Sequence, residues 1–272
     1  MNAVDLTMIA LPAGVFCSMM AAAIAGHRLA LARARYEDAE DAPGTGAIDA
    51  AVLGLLGLLV AFWFSSAGTR LDVRRSLIVE EANAIGTAWL RLDLLPRDAQ
   101  AEMRGLFHGY VDVRLAQAPG RPSAGRPRQL DDELADHRHA IWGRAVEAAL
   151  RCVTPQGHAI LLESLNEMFD AGTRHQAFVN AHTPTAILAL LVVVAACSAA
   201  LAGHDMGRRR SFHWLHNLVF AGVVAITIWV IYDLEMPRYG LIRVDNFDQT
   251  IRDVRADFDW SPKPAPHTDA AR

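Results

Sequence analysis

The sequence is poor in cysteine, and its few cysteines lie far apart. Three occur in 272 residues, at Cys17, Cys152 and Cys197, and two of them fall inside apolar runs. A disulfide framework needs cysteines that can pair, and a structural zinc site needs closely spaced cysteine or histidine ligands. The spacing argues against both, and we expect no metal and no cofactor.

The motifs of common enzyme classes are missing as well. The sequence contains no G-x-S-x-G, no Walker A loop, no dinucleotide-binding glycine fingerprint, no H-E-x-x-H and no C-x-x-C. We therefore do not expect an enzyme. An excess of positive charge is also absent, because the formal net charge is -4. Nothing in the composition predicts a nucleic-acid partner.

Long uncharged runs explain much of the 52% hydrophobic content. Three runs of about 20 residues contain no Asp, Glu, Lys or Arg, and a fourth is interrupted only by two histidines and an asparagine near its start. Each is long enough to cross a bilayer core of about 30 Å. The runs are Leu6–Gly26, Ala50–Thr69, Thr183–Gly203 and Ser211–Tyr232. They predict an all-α, multi-pass integral membrane protein with four transmembrane helices in a lipid bilayer.

The first run has a second interpretation, a cleaved signal peptide. Residues 1–8 carry Asp5 and no basic residue, and the run is long, which favours a retained transmembrane helix. Arginines flank the two ends of the spans about equally, so the positive-inside rule leaves the membrane orientation open.

Between the second and third spans, the composition is that of a water-soluble domain with helical periodicity and no alternating strand pattern. We expect helices over residues 71–95, 98–117, 130–152 and 156–182, the first of which continues the second span. Four regions follow. They are transmembrane helices 1 and 2 with their loop at 1–69, an aqueous helical domain at 70–182, transmembrane helices 3 and 4 at 183–232, and a C-terminal aqueous segment with a mobile tail at 233–272.

The second helix carries two contrasting stripes when its residues are placed at 100° intervals. One stripe is small and apolar, and we expect it to pack on other helices of the same subunit, because small residues let backbones approach closely in a membrane. It includes Gly54, Gly57, Ala61 and Gly68. The opposite stripe is polar on the C-terminal side of Phe62, and its polar side chains require water or polar partners. It includes Phe62, Ser66, Thr69, Ser76, Glu80 and Asn83.

Repeated around a symmetry axis, the polar stripe would line a pore, with Phe62 as a hydrophobic constriction and Glu80 and Asn83 as rings below it. Carboxylates at Glu80 would raise the local cation concentration, so a cation preference is expected. The alternative is that the stripe packs against the aqueous helices of its own chain, with Glu80 paired to Arg91 or Arg174. The stripe alone does not decide between them.

Several charged residues are candidates for an ion pair or a contact with an ion. They are Glu81, Asp170, Arg174, Asp233, Glu235 and Asp245. Asp170 and Arg174 have the i,i+4 spacing that supports a helix, and Arg174 could instead contact a permeating ion. Asp233 and Glu235 end the fourth span. They could bind a cation, form an inter-subunit contact or be an ordinary polar terminus.

Three histidines, His204, His213 and His216, lie near one membrane face. His213 and His216 are three residues apart, a spacing that can place two imidazoles on one metal ion. No cysteine accompanies them, and Asp205 is the only carboxylate nearby. Packing between the third and fourth spans is the favoured interpretation.

Residues 54–96, GLLGLLVAFWFSSAGTRLDVRRSLIVEEANAIGTAWLRLDLLP, resemble the signature of a bacterial four-helix membrane family described as bestrophin-like. That family is marked by Glu-Glu-Ala-Asn, here Glu80–Asn83, followed by Tyr-Val-Asp-x-Arg, here Tyr110–Arg114. Residues 233–246, DLEMPRYGLIRVDN, resemble the segment after the last span of true bestrophins.

The resemblance implies a homo-oligomeric, pentameric channel for inorganic ions in a bacterial cell membrane. It places the neck at Phe62 or Phe64, and the helical phase favours Phe62. The chain lacks the longer acidic run of the bestrophin calcium clasp, so calcium control is not implied. A second hypothesis is a non-conducting membrane sensor or scaffold whose aqueous helical domain binds a partner.

Overall fold

A computed structural model describes residues 3–34, 46–117, 128–149, 151, 155–181, 185–235 and 245–259. Within these ranges the regular structure is helical, and no strand occurs. A 3-10 turn, Leu92–Leu94, follows the second helix just ahead of Pro96. The α-helices are α1 (Ala3–Arg33), α2 (Gly46–Arg91), α3 (Arg97–Ala116), α4 (Arg128–Ala149), α5 (Pro155–Asn180), α6 (Thr185–Arg208), α7 (Trp214–Glu235) and α8 (Asp245–Asp257).

Four helical segments are long and apolar enough to cross a membrane, namely those containing α1, α2, α6 and α7. The prediction of an all-α chain with four membrane-spanning helices is confirmed. The chain divides into two compact units, the first comprising residues 1–73 and 182–243 and the second residues 74–181 and 244–272. The domain boundaries expected at residues 69, 182 and 232 stay predictions.

In the first unit, α1 and α6 pack through small residues. A Cβ atom added to Gly26 would overlap the backbone of Ala200, and one added to Gly203 would overlap the backbone of Ala23. Glycine at these two positions lets the helix backbones touch, which is how membrane helices gain van der Waals contact without a hydrophobic driving force. Buried alanines continue the contact along both helices. They include Ala23, Ala30, Ala195 and Ala199.

The second unit is built around an apolar core contributed by α2, α3, α4 and α5. The core contains fully buried aromatic and aliphatic side chains, among them Ile85, Phe107, Ile141, Leu165 and Met168. The last two turns of α2 belong to it, because Ala88 and Trp89 are buried there.

Helix α8 is attached to this core by an aromatic stack and an ion pair. Phe258, which follows α8, stacks on Trp89 with ring centroids 3.9 Å apart. Arg255 donates from Nε and Nη2 to the two carboxylate oxygens of Asp112, at 2.8 and 3.3 Å, and Ile251 is fully buried. Residues 245–259 are therefore part of the second unit.

Candidate functional site

The predicted pore residues in the first unit lie on an exposed face of α2. Phe62 is 65% exposed, and Ser66 and Thr69 are exposed as well. The Thr69 hydroxyl donates to the Ser65 carbonyl of its own helix at 3.0 Å. In a single chain this face is exposed, so it can contact water, lipid or another copy of the chain.

The buried face of α2 in the first unit is a different one from that expected. Gly54, Gly57 and Gly68 have no described atom of another element within 4 Å of the position of a Cβ, and Ala61 is exposed. The structure thus does not place this small stripe against other helices of the subunit. The buried residues on this part of α2 are instead Leu56, Trp63, Ala67 and Leu71.

In the second unit, the predicted pore residues Ser76, Glu80 and Asn83 are also exposed. Glu80 is not alone, since Arg174 of α5 donates from Nη2 to Glu80 Oε1 at 2.5 Å and to Glu167 Oε1 at 2.8 Å. The Glu80 and Arg174 side chains are each 44% exposed. The alternative pairing of Glu80 with Arg174 therefore exists within one chain, but it leaves the carboxylate at the surface.

The next residue along α2, Glu81, points about 100° away from Glu80 around the helix and is fully buried. Arg114 of α3 donates to it from Nε at 2.5 Å and from Nη2 at 3.0 Å. On its other side, His175 Nδ1 lies 2.6 Å from Glu81 Oε2. An ionised carboxylate only accepts hydrogen bonds, so Nδ1 carries the donated proton. We call these three residues the buried ion network.

Glu81 lies on the aqueous part of α2, after the apolar run that ends at Thr69. The buried ion network keeps its carboxyl group ionised. Burial raises the pKa of Glu81, but the charge of Arg114 and the hydrogen bonds from His175 and Arg114 outweigh it and lower the pKa of this carboxyl to about 2. Burial, followed by the negative charge of Glu81, raises the pKa of Tyr110 to about 12. The network thus holds the charged carboxylate of Glu81 beside the neutral phenol of Tyr110.

Sequence reasoning listed Glu81 only as a candidate for an ion pair and did not find its partners. Its helical phase contained the signal, because Ile78, Ala82 and Ile85 form an apolar face that includes position 81. An acidic residue in the middle of a buried face requires a cation. The sequence does not say which of its many arginines supplies it.

The other candidates have separate surroundings. Asp170 accepts a hydrogen bond from Asn166 Nδ2 at 3.5 Å, and Arg174 pairs with Glu80 and Glu167 rather than with Asp170. Glu235 accepts a hydrogen bond from Trp63 Nε1 at 3.1 Å. Asp233 is buried, and the side chain of Asp245 lies outside the described residues.

The histidines near the membrane face make aromatic contacts. The rings of His213 and His216 have centroids 5.6 Å apart, and the Ser211 hydroxyl lies 3.3 Å from His213 Nε2. In the part of the chain that the structure describes, no group of three or more His, Cys, Asp or Glu side chains could hold a metal ion.

A family model for the bestrophin-like domain matches residues 14–246, which is most of the chain. The chain belongs to the bestrophin-like family. With four helices able to cross a bilayer, this bestrophin-like chain is an integral membrane protein. Comparisons with curated proteins and with solved structures gave no match.

The two motifs that carry the bestrophin-like resemblance meet in the structure. Glu81 comes from the Glu-Glu-Ala-Asn stretch, and its partner Arg114 ends the Tyr-Val-Asp-x-Arg stretch. Tyr110 of the same stretch lies beside Glu81, and Asp112 holds Arg255 of α8. One helical turn of α3 thus connects α2 with the C-terminal helix.

Proposed function

We propose that copies of this chain assemble as a pentamer around α2 and form a pore for inorganic ions in a bacterial cell membrane. The observation that carries the proposal is the exposed polar face of a membrane-crossing helix. Ser66 and Thr69 lie on that face, and polar groups facing hydrocarbon are unfavourable unless they meet water or another polar surface. Membership of the bestrophin-like family supports the same conclusion.

Phe62 is the proposed neck. It is the most exposed aromatic side chain on the membrane part of α2, at 65%. Five phenyl rings around an axis would form a hydrophobic constriction that closes by dewetting. The small residues Gly54 and Gly57, which no other described element of the chain covers, are left to pack against a neighbouring copy or lipid.

An exposed charge cluster, formed by Glu80, Glu167 and Arg174, determines the proposed selectivity. Glu80 and Glu167 share the single cation Arg174, so the cluster has one more negative than positive charge. Repeated around the axis, such clusters would concentrate cations near the pore entrance. The cation preference expected from Glu80 is thus reduced by Arg174 but keeps its sign.

Replacing Phe62 by Ala is expected to increase ion flux, since it widens the constriction and makes it less apolar. The measurement is ion flux in liposomes that contain the purified full-length chain. Phe64→Ala is the matched control, because Phe64 is also exposed on α2, at 50%, but lies off the polar stripe. A wild-type chain that is monomeric in mild detergent and passes no ions would contradict the proposal.

Glu80→Gln is expected to decrease the permeability ratio of cations to anions by removing one negative charge per subunit near the pore. Reversal potentials in planar bilayers under a salt gradient measure this ratio. Glu163→Gln is the control, because Glu163 is an exposed carboxylate of α5 outside the cluster. An unchanged ratio in Glu80→Gln would remove Glu80 from the pore.

A second candidate function is a non-conducting membrane sensor or scaffold. The pairing of Glu80 with Arg174 inside one chain favours it, because the carboxylate then has a structural partner and needs no permeating ion. This function predicts a monomer or dimer in detergent, no flux, and binding of a partner by the second unit.

A further inference from the structure

A cavity of about 340 Å³ lies among α3, α4 and α5 of the second unit. Tyr110, Arg114 and Gly172 line one part of it, and Arg138 and Phe169 line another. Its volume falls in the range of small-molecule sites in proteins. Arg114 of the buried ion network contributes to its wall, but neither that network nor the proposed conduction pathway occupies the cavity.

Arg138 is a half-buried cation in the wall of the cavity. Its guanidinium carbon lies 5.0 Å from the centre of the Phe169 ring, and Nη1 donates to the Thr173 hydroxyl over a long 3.4 Å. It forms no ion pair with any residue that the structure describes. Asp131 also lines the cavity, but its Oδ1 accepts a hydrogen bond from Gln117 at 2.9 Å. Among the residues that the structure describes, Arg138 is therefore a positioned cation without a matching anion.

The hydroxyl of Tyr110 is a second group of the cavity without a hydrogen-bond partner in the described ranges. Tyr110 is 1% exposed, lines the cavity and makes no hydrogen bond to the described part of the chain. Residue 172 is glycine, and a Cβ there would lie 3.5 Å from the Tyr110 oxygen, so the missing side chain leaves space beside the hydroxyl. Its raised pKa keeps this phenol protonated at neutral pH, so it can donate as well as accept.

We propose that this cavity binds a small organic carboxylate with a flat apolar body. The carboxylate pairs with Arg138, the body lies against Phe169 and Leu134, and the far end approaches the Tyr110 hydroxyl. Arginine is the side chain whose donors best match a carboxylate. A bare inorganic anion would leave the apolar wall of the cavity uncovered. The site is distinct from the proposed pore, and binding to it does not require conduction.

The test uses the full-length chain in nanodiscs and isothermal titration with the flat probes benzoate and 4-hydroxybenzoate, and with cyclohexanecarboxylate, whose puckered ring is expected to bind more weakly. At least one of these probes is expected to bind, and benzamide, which has the shape of benzoate without its charge, is expected to bind at least tenfold more weakly. Arg138→Gln is expected to weaken carboxylate binding at least tenfold. Arg144→Gln is the matched control, because Arg144 is exposed on the same helix and pairs with Glu102 and Glu147.

Two further variants locate the ligand. Tyr110→Phe removes only the hydroxyl and is expected to weaken 4-hydroxybenzoate more than benzoate. A neighbouring cavity shares Arg138 and Phe169 but is lined by Trp142 instead of Tyr110. If Trp142→Ala abolished binding and Tyr110→Phe had no effect, the assignment to this cavity would be wrong. The absence of binding by all three carboxylates at millimolar concentration, or equal binding of benzoate and benzamide, would overturn the proposal.

Discussion

Glu81→Gln is expected to destabilise the second unit by about 3 kcal/mol or more, the effect of removing one partner from a buried ion pair. Arg114 is 2% exposed, and without the carboxylate its charge would remain in the core. The hydrogen bond from Arg114 Nη1 to Gln117 Oε1 at 3.1 Å does not neutralise that charge, because the amide is neutral. Thermal unfolding of the purified chain in detergent, followed by tryptophan fluorescence, measures the loss because Trp89 lies in the same core.

Glu80→Gln is the matched control for Glu81→Gln, because it makes the same chemical change at the adjacent position. Glu80 forms an exposed ion pair, and such pairs contribute little to stability. A double variant, Glu81→Gln with Arg114→Met, is expected to recover part of the stability by removing the unpaired charge. Equal melting temperatures for Glu80→Gln and Glu81→Gln would show that the buried ion network does not stabilise the unit.

The adjacent residues Glu80 and Glu81 show which features of the structure can be predicted from the sequence and which cannot. Four apolar runs predict four spans because a bilayer fixes the length of an uncharged helix, and that prediction is confirmed. Helical phase separates Glu80 from Glu81, since neighbouring residues on a helix point about 100° apart. The partner of Glu81 could not be predicted, because Arg114 is brought to it by packing between helices and no spacing rule connects the two positions.

The small-residue contact was missed for a related reason. Sequence reasoning chose the glycines of α2, where small residues contrast with a polar face. Helices α1 and α6 are apolar all round, so they have no amphipathic pattern that would identify the packed face. A glycine in the sequence does not indicate whether another helix packs against it. In the structure, Gly26 and Gly203 lie against another backbone, whereas Gly54 and Gly57 do not.

Gly203→Ala is expected to disrupt the first unit, with a cost of about 3 kcal/mol, the upper part of the range for overpacking. The added methyl group would overlap the Ala23 backbone, and backbone atoms cannot rotate away as a side-chain end can. Helices α1 and α6 would have to separate along their whole buried contact. The measurement is the yield of monodisperse protein and its melting temperature in detergent.

Gly14→Ala is the control for Gly203→Ala, because Gly14 lies in α1 and no described atom of another element is within 4 Å of its Cβ position. This variant should keep or slightly raise stability, since alanine favours helix over glycine by about 1 kcal/mol. Gly26→Ala should behave like Gly203→Ala, because its methyl group would overlap the Ala200 backbone from the other side of the same contact. If both contact variants melted at the temperature of Gly14→Ala, α1 and α6 would not pack through these glycines, since a methyl group cannot occupy the position of a backbone atom.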